Sequence, residues 1–221
     1  MVSHQTSLEK DGATCNARRA GRFRPVTTTG SCATASSYRR NKMKRDATIR
    51  IGIYTLLAGS LFVYALMQKG PRLSQPLWLL AGAVVWGALE YAFHRWLFHS
   101  SKVGHWAERV FAYEHSRHHL DPLVAKHLFL PLKLTLPISS AILIAVIGLL
   151  GIAAAAPLYL GLLLGYAPYE WLHYRAHHEP YSEMTGLTAW LKRYHLAHHS
   201  RDESKHFGVS SPLFDWLART M

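Results

Sequence analysis

Cysteine is almost missing from this sequence: Cys15 and Cys32 are the only two in 221 residues, and both lie in its polar first segment. That excludes a disulfide framework and a thiolate zinc site. Acidic side chains are scarce too, 13 against 25 Lys and Arg, and only 17% of residues carry charge of either sign. A basic excess of this size invites a nucleic-acid reading, but its placement argues against one. Residues 1–50 hold eleven Lys and Arg against Glu9, Asp11 and Asp46, so +8 of the +12 net charge sits there and +4 in all the rest. No nucleic-acid partner is expected. Two catalytic signatures are absent as well. Without HExxH the chain lacks the general-base glutamate of a zinc protease, and without CxxCH it has no attachment site for haem.

The first segment is rich in Gly, Ser and Thr and has too few apolar residues to build a core. Residues 1–48 are expected to form a disordered basic tail, and residues 49–221 the folded domain. The Arg- and Ser/Thr-rich composition resembles a transit peptide, but Glu9, Asp11 and weak amphipathicity argue against that.

What the chain has in quantity is long apolar runs. IGIYTLLAGSLFVYALM (51–67) carries no charge and approaches the roughly 20 residues that cross a bilayer. LWLLAGAVVWGALEYAFHRWLF (77–98) is long enough, with Glu90, His94 and Arg95 in its last third. The run from Phe129 to Leu172 is about twice the length of one span, and its only charges are Lys133 and Glu170. It reads as a helical hairpin that reverses at Gly148 and Gly151 or at Pro157. Four spans are expected, at about 51–68, 77–98, 129–149 and 152–172. Arg39, Arg40, Lys42, Lys44, Arg45 and Arg50 precede the first span, which places the N-terminus in the cytoplasm. The ends of spans two and four then face the cytoplasm also.

The histidines gather at those two ends. Of fifteen, only His4 precedes residue 94. Four clusters follow: His94 and His99; His115, His118 and His119; His173, His177 and His178; His195, His198 and His199. His105, His127 and His206 stand alone. On a helix, positions i, i+3 and i+4 share a face, so the second and fourth clusters each present a row of imidazoles, and His173 and His177 pair likewise. His94 and His99 are five apart, roughly 140° around an ideal helix. They either sit where the span ends or flank two ions. An ordinary ion takes about four to six donors, so ten imidazoles are too many for one and sufficient for two. No pair of Glu-x-x-His repeats marks a carboxylate-bridged di-iron bundle. Glu90, Glu170, Asp121 and Asp202 are expected to orient imidazoles from behind.

EYAFHRWLFH (90–99), HSRHHLDP (115–122), the HYxxHH form at 173–178, HxxHH at 195–199 and HFGVSSPLFDWL (206–217) resemble the fatty acid hydroxylase/sterol desaturase superfamily. Within it they are most similar to the fatty-acid and sphingolipid 2-hydroxylases. The similarity extends over about 77–217. It implies an all-α integral membrane protein of four transmembrane helices, with a cytoplasmic helical cap carrying a histidine-rich dimetal site. It implies ten metal ligands: His94, His99, His115, His118, His119, His173, His177, His195, His198 and His199. His178 is a neighbour without an assigned role.

The resemblance further implies two Fe ions (zinc being possible as isolated), O2 as co-substrate, and oxidation of a lipid C–H bond to C–OH in a fatty acyl chain. Many eukaryotic members carry a cytochrome b5 domain with an HPGG motif, which this sequence lacks. Electrons are therefore expected from a separate donor, such as cytochrome b5 or ferredoxin with its reductase. The expected location is the inner membrane of a bacterium or the endoplasmic reticulum of a eukaryote. Within the superfamily the alternative is a sterol- or carotenoid-type oxidase or a desaturase. Outside it, the alternative is a membrane metal transporter, which calls for ionisable ligands along a path through the spans.

Overall fold

Helices make up all the regular structure in the computed structural model, which describes residues 29–67, 74–99 and 104–221. In chain order the α-helices are α1 (Thr29–Met67), α2 (Gln75–Ala92), α3 (His105–Ala107), α4 (Tyr113–Leu120), α5 (Ala125–Leu128), α6 (Leu132–Leu150), α7 (Ile152–His178), α8 (Gly186–Ser200) and α9 (Leu213–Ala218). Two π-helical turns interrupt them, at Phe93–Phe98 after α2 and at Glu108–Ala112 before α4.

The chain divides into two units, Met1–Arg45 and Asp46–Met221. In the first unit only the helical backbone from Thr29 is described. α1 therefore begins inside the segment whose composition reads as a tail: Ala, Arg, Lys and Met favour helix once an apolar helix follows to propagate from. Residues 1–28 of that expected tail lie outside the described residues.

Among the described residues, three helices are long and apolar enough to cross a membrane: Gln75–Phe98, Leu132–Leu150 and Ile152–His178. The apolar part of α1, Thr48–Tyr64, is shorter than these. It is nevertheless packed into the second unit. Tyr54 and Ala58 are buried with Tyr159, Leu162 and Leu163 of α7, the Tyr54 hydroxyl donates to Thr135 Oγ1 at 2.8 Å, and Arg50 donates to the Leu130 carbonyl at 2.5 Å.

The hairpin reverses at Gly151, which has φ +73° and closes α6 with its N–H on Ile147 O at 2.9 Å. A side chain is strained in that left-handed region, so glycine supplies the turn. Pro157 lies inside α7 and is fully buried; it does not mark the reversal.

α2 and α7 approach backbone to backbone. A Cβ at Gly82 would lie 1.9 Å from the Leu158 carbonyl oxygen, and one at Gly161 would lie 1.9 Å from that of Leu79. Small residues that admit such contact are how helices pack where no hydrophobic drive separates protein from lipid. This crossing sets the ends of α2 and α7 side by side, and both ends carry histidines. An apolar cluster of Leu172, Leu191 and Val209 then fastens α8 and the segment after it onto α7.

Candidate metal centre

The largest fully buried side chains include His118, His195 and His198, so the centre of the part beyond the spans is made of imidazole rather than hydrocarbon. Burying that many basic rings costs desolvation and leaves their lone pairs unpaired unless something shared satisfies them.

The ten imidazoles form two groups of five. Within each, one ring nitrogen per residue lies within 4.8 Å of all the others. The first group is His94, His99, His115, His119 and His198; the second is His118, His173, His177, His195 and His199. Each HxxHH motif divides between them. α4 gives its i, i+4 pair, His115 and His119, to the first group and sends His118 to the second. α8 does the converse, giving His195 and His199 to the second and His198 to the first. The remaining pairs come from the end of α7, His173 and His177, and from the π-helical turn that follows α2, His94 within it and His99 just after it.

The α2 pair is five residues apart, and the π-helical turn at Phe93–Phe98 is what reconciles it. A π turn bonds i to i+5, so it places on one face two residues that an α-helix would separate. The His94 and His99 ring centroids are 5.2 Å apart. Both belong to one group, so the reading in which they flank two ions is corrected by this local backbone geometry.

The nitrogens are too close together, and too many around one atom, to be hydrogen-bond partners alone. His115 Nε2 lies 3.1 Å from His94 Nε2, 2.9 Å from His99 Nε2 and 3.0 Å from His119 Nε2. One ring nitrogen has a single proton or a single lone pair, so it cannot form three hydrogen bonds. In the second group, His173 Nε2 and His118 Nε2 are 2.9 Å apart, and His177 Nε2 and His195 Nε2 are 2.8 Å apart. Ligands about 2.1 Å from an ion and at right angles to each other stand about 3 Å apart. The residues present therefore fit two cations bound by nitrogen.

Protonation favours the same function. Burial, and after it the neighbouring imidazoles, lowers His99 and His118 to about 3 and His119 to about 4, against an ordinary 6.5. His115 and His195 are held well below the ordinary value by the same causes, and His198 and His199 are lowered by burial first. These rings stay neutral near pH 7, the form that binds metal.

The partners behind the rings are not the acids expected from sequence. His94 Nδ1–H donates to the Phe207 carbonyl at 2.5 Å, His198 Nδ1–H donates to the Lys205 carbonyl at 2.6 Å, and His119 Nδ1 lies 3.2 Å from Glu203. Glu90 instead accepts the N–H groups of Val209 and Ser210 and the Ser210 hydroxyl. Glu170 accepts from Tyr166, and Asp202 from Ser204. Asp121 follows α4, where its N–H bonds to Arg117 O. Carbonyl partners leave no trace in residue identity, whereas Glu203, four residues after His199, is an acid legible in the sequence. His178 stacks on Tyr174 outside both groups, and His105 points into solvent. His127 pairs with Glu114 at 2.6 Å.

A cavity of about 170 Å³ adjoins both groups. His94 and His115 of the first group and His173 of the second line it, and its other walls are mainly apolar and aromatic, among them Phe93, Phe111 and Leu163. On α7 its lining runs from Tyr159 to His173, about 20 Å of helix at 1.5 Å per residue.

Residues 79–220 match the family described as fatty acid hydroxylase. Dihydroceramide fatty acyl 2-hydroxylase FAH2 of Arabidopsis thaliana is 37% identical over 145 residues, which cover 63% of this chain and 58% of that protein. Human fatty acid 2-hydroxylase is 28% identical over 158 residues, 68% of this chain and 41% of that protein. The solved structure of full-length scs7p, with only its hydroxylase domain visible, superposes with a TM-score of 0.68 and 27% identity, over 76% of this chain and 63% of that one. The chain thus spans between two fifths and two thirds of the length of these relatives.

Proposed function

The chain belongs to the fatty acid hydroxylase family, and on that footing we propose that it is a membrane-bound, O2-dependent lipid hydroxylase that converts a C–H bond of a fatty acyl chain to C–OH. One observation carries the reading furthest. A largely apolar cavity is lined by His94 and His115 of one five-histidine group and by His173 of the other, so a carbon held beside them would lie near both.

His94, His99, His115, His119 and His198 would hold one ion, and His118, His173, His177, His195 and His199 the other. Imidazole suits both zinc and iron, but zinc has no redox chemistry, so iron is the metal of the working enzyme. Two iron ions so held supply the redox chemistry by which O2 oxidises a C–H bond. The reaction consumes one O2, two electrons and two protons, and yields the alcohol and water. The electrons come from a separate donor protein.

The chain's own residues bind and orient. Phe93, Leu97, Phe98, Phe111 and Leu163 offer the alkyl chain an apolar wall and keep water from it. The histidines act as neutral ligands, not as acids or bases. The helical hairpin and α2, joined by the packed apolar part of α1, form four spans whose His-bearing ends face the cytoplasm, with residues 49–221 as the working domain.

Expression in a host of known lipid content, followed by mass spectrometry of the lipids, tests the activity. A product heavier by one oxygen supports hydroxylation. A product lighter by two hydrogens makes the chain a desaturase, and unchanged lipid with metal flux across vesicles makes it a transporter.

A further inference from the structure

The nitrogens on the far side of each ring are treated differently in the two groups. In the first, two of five are hydrogen-bonded by one short segment, Phe207 O on His94 and Lys205 O on His198, and its Glu203 carboxylate stands 3.2 Å from His119 Nδ1, which is buried without a hydrogen bond. In the second group, Nδ1 of His118, His195 and His199 is buried and has no hydrogen-bond partner among the described residues.

The segment is itself clasped. Asp215, fully buried, accepts the N–H of Phe207 at 2.9 Å, the N–H of Gly208 at 2.7 Å and the Thr220 hydroxyl at 2.8 Å. Glu90, one turn before His94 on α2, accepts the next two N–H groups, those of Val209 and Ser210, and the Ser210 hydroxyl. Four consecutive amides thus donate to two buried carboxylates. Gly208 makes the tight course possible, because a Cβ there would lie 2.0 Å from the Ser211 carbonyl oxygen.

Partners behind a ligating imidazole fix its tautomer and ring angle, and losing one typically costs about 10- to 100-fold in metal affinity. We propose that Glu203–Ser210 is a strap that orients the first group, with Glu90 and Asp215 as its positioning residues, and that the two metal positions are therefore inequivalent: the first retains its ion, and the second gives up its ion first. The inference rests on the dimetal reading above. It adds an order of metal loss and a role for two carboxylates that are not among the ten imidazole ligands.

The test uses the full chain in detergent, loaded with Co(II) and challenged with EDTA while bound cobalt and its visible absorption are followed. Two phases of equal amplitude are expected. His195→Ala removes the fast phase and His198→Ala the slow one. Asp215→Asn speeds the slow phase about 10- to 100-fold and leaves the fast phase alone, and Glu90→Gln does the same. Ser210→Ala, a milder change that removes one hydrogen bond to Glu90, moves the slow phase in the same direction by less and covers the case in which a carboxylate variant fails to fold. A single phase in the parent protein overturns the inference while leaving the dimetal reading intact, as does acceleration of both phases alike. A chain that takes up no cobalt overturns both.

Discussion

His119 and His199 stack face to face, with ring centroids 4.0 Å apart and planes 12° from parallel, although they belong to different five-histidine groups. The contact marks the seam where α4 and α8 exchange ligands. α4 sends His118 across it to the second group, and α8 sends His198 across it to the first. Neither group is complete with the histidines of one spanning helix and its own following helix.

The two crossing residues are for that reason the sharpest ligand tests. His118→Ala and His198→Ala are each expected to abolish lipid oxidation and to lower metal content, measured by elemental analysis of the purified chain. His105→Ala, whose side chain is 96% exposed, is expected to change neither. Full turnover in His118→Ala contradicts the ligand assignment.

The α2–α7 crossing makes a prediction about folding rather than chemistry. Gly82→Ala drives a methyl to 1.9 Å from a carbonyl oxygen that belongs to backbone and cannot swing away. The helices must separate, and a loss of about 1–3 kcal/mol or more is expected. Gly148 in α6 has open space around its Cβ position, so Gly148→Ala is expected to be neutral or stabilising by up to about 1 kcal/mol. Thermal unfolding in detergent measures both. Equal stability of the two variants contradicts the close crossing.

Acid is expected to destabilise the metal-free protein. His99, His118 and His119 have folded values of about 3 to 4, below the ordinary 6.5. Below 6.5 the unfolded chain therefore binds more protons than the folded one, and stability falls as pH drops from about 6.5 toward about 4. Above 6.5 these rings are neutral in both states and the effect vanishes. Protons compete with metal over the same range, so bound metal is released with the same sign. Melting temperatures of the metal-free chain across that range check the claim, and a rise on acidification contradicts it.

Narrowing the cavity tests the seat of the alkyl chain. Ile142 lines it from α6, a helix with no buried residues among those described, so its side chain can be enlarged with little loss of packing. Ile142→Trp is expected to shift the product distribution toward shorter acyl chains with metal content unchanged. An unaltered distribution places the substrate elsewhere.

Much of this site was legible in the chain. Histidines spaced i, i+3 and i+4 share a helix face wherever the helix lies, so the clusters at 115–119 and 195–199 were legible, and the four clusters do come together. The hairpin was legible, but of the expected reversal points, Gly148 and Gly151 or Pro157, only Gly151 has the left-handed backbone of the turn. Three features were not. The exchange of His118 and His198 depends on how α4 and α8 cross, which spacing along one helix does not encode. The pairing of His94 with His99 needs a π turn, and no residue type specifies one. The groups behind the rings of the first group are two backbone carbonyls and Glu203, and none is Glu90, Glu170, Asp121 or Asp202; a carbonyl is common to every residue and so is invisible in sequence.

Two imidazole groups that meet at a largely apolar cavity are proposed to hold metals that use O2 on a lipid carbon. Reaction of the iron-loaded chain with lipid, reductant and isotopically heavy O2 tests this most directly. The account predicts heavy oxygen in the product hydroxyl, at one label per product, and loss of that label in His118→Ala. Hydroxylated lipid whose oxygen comes from water, or label retained after either crossing histidine is removed, contradicts it.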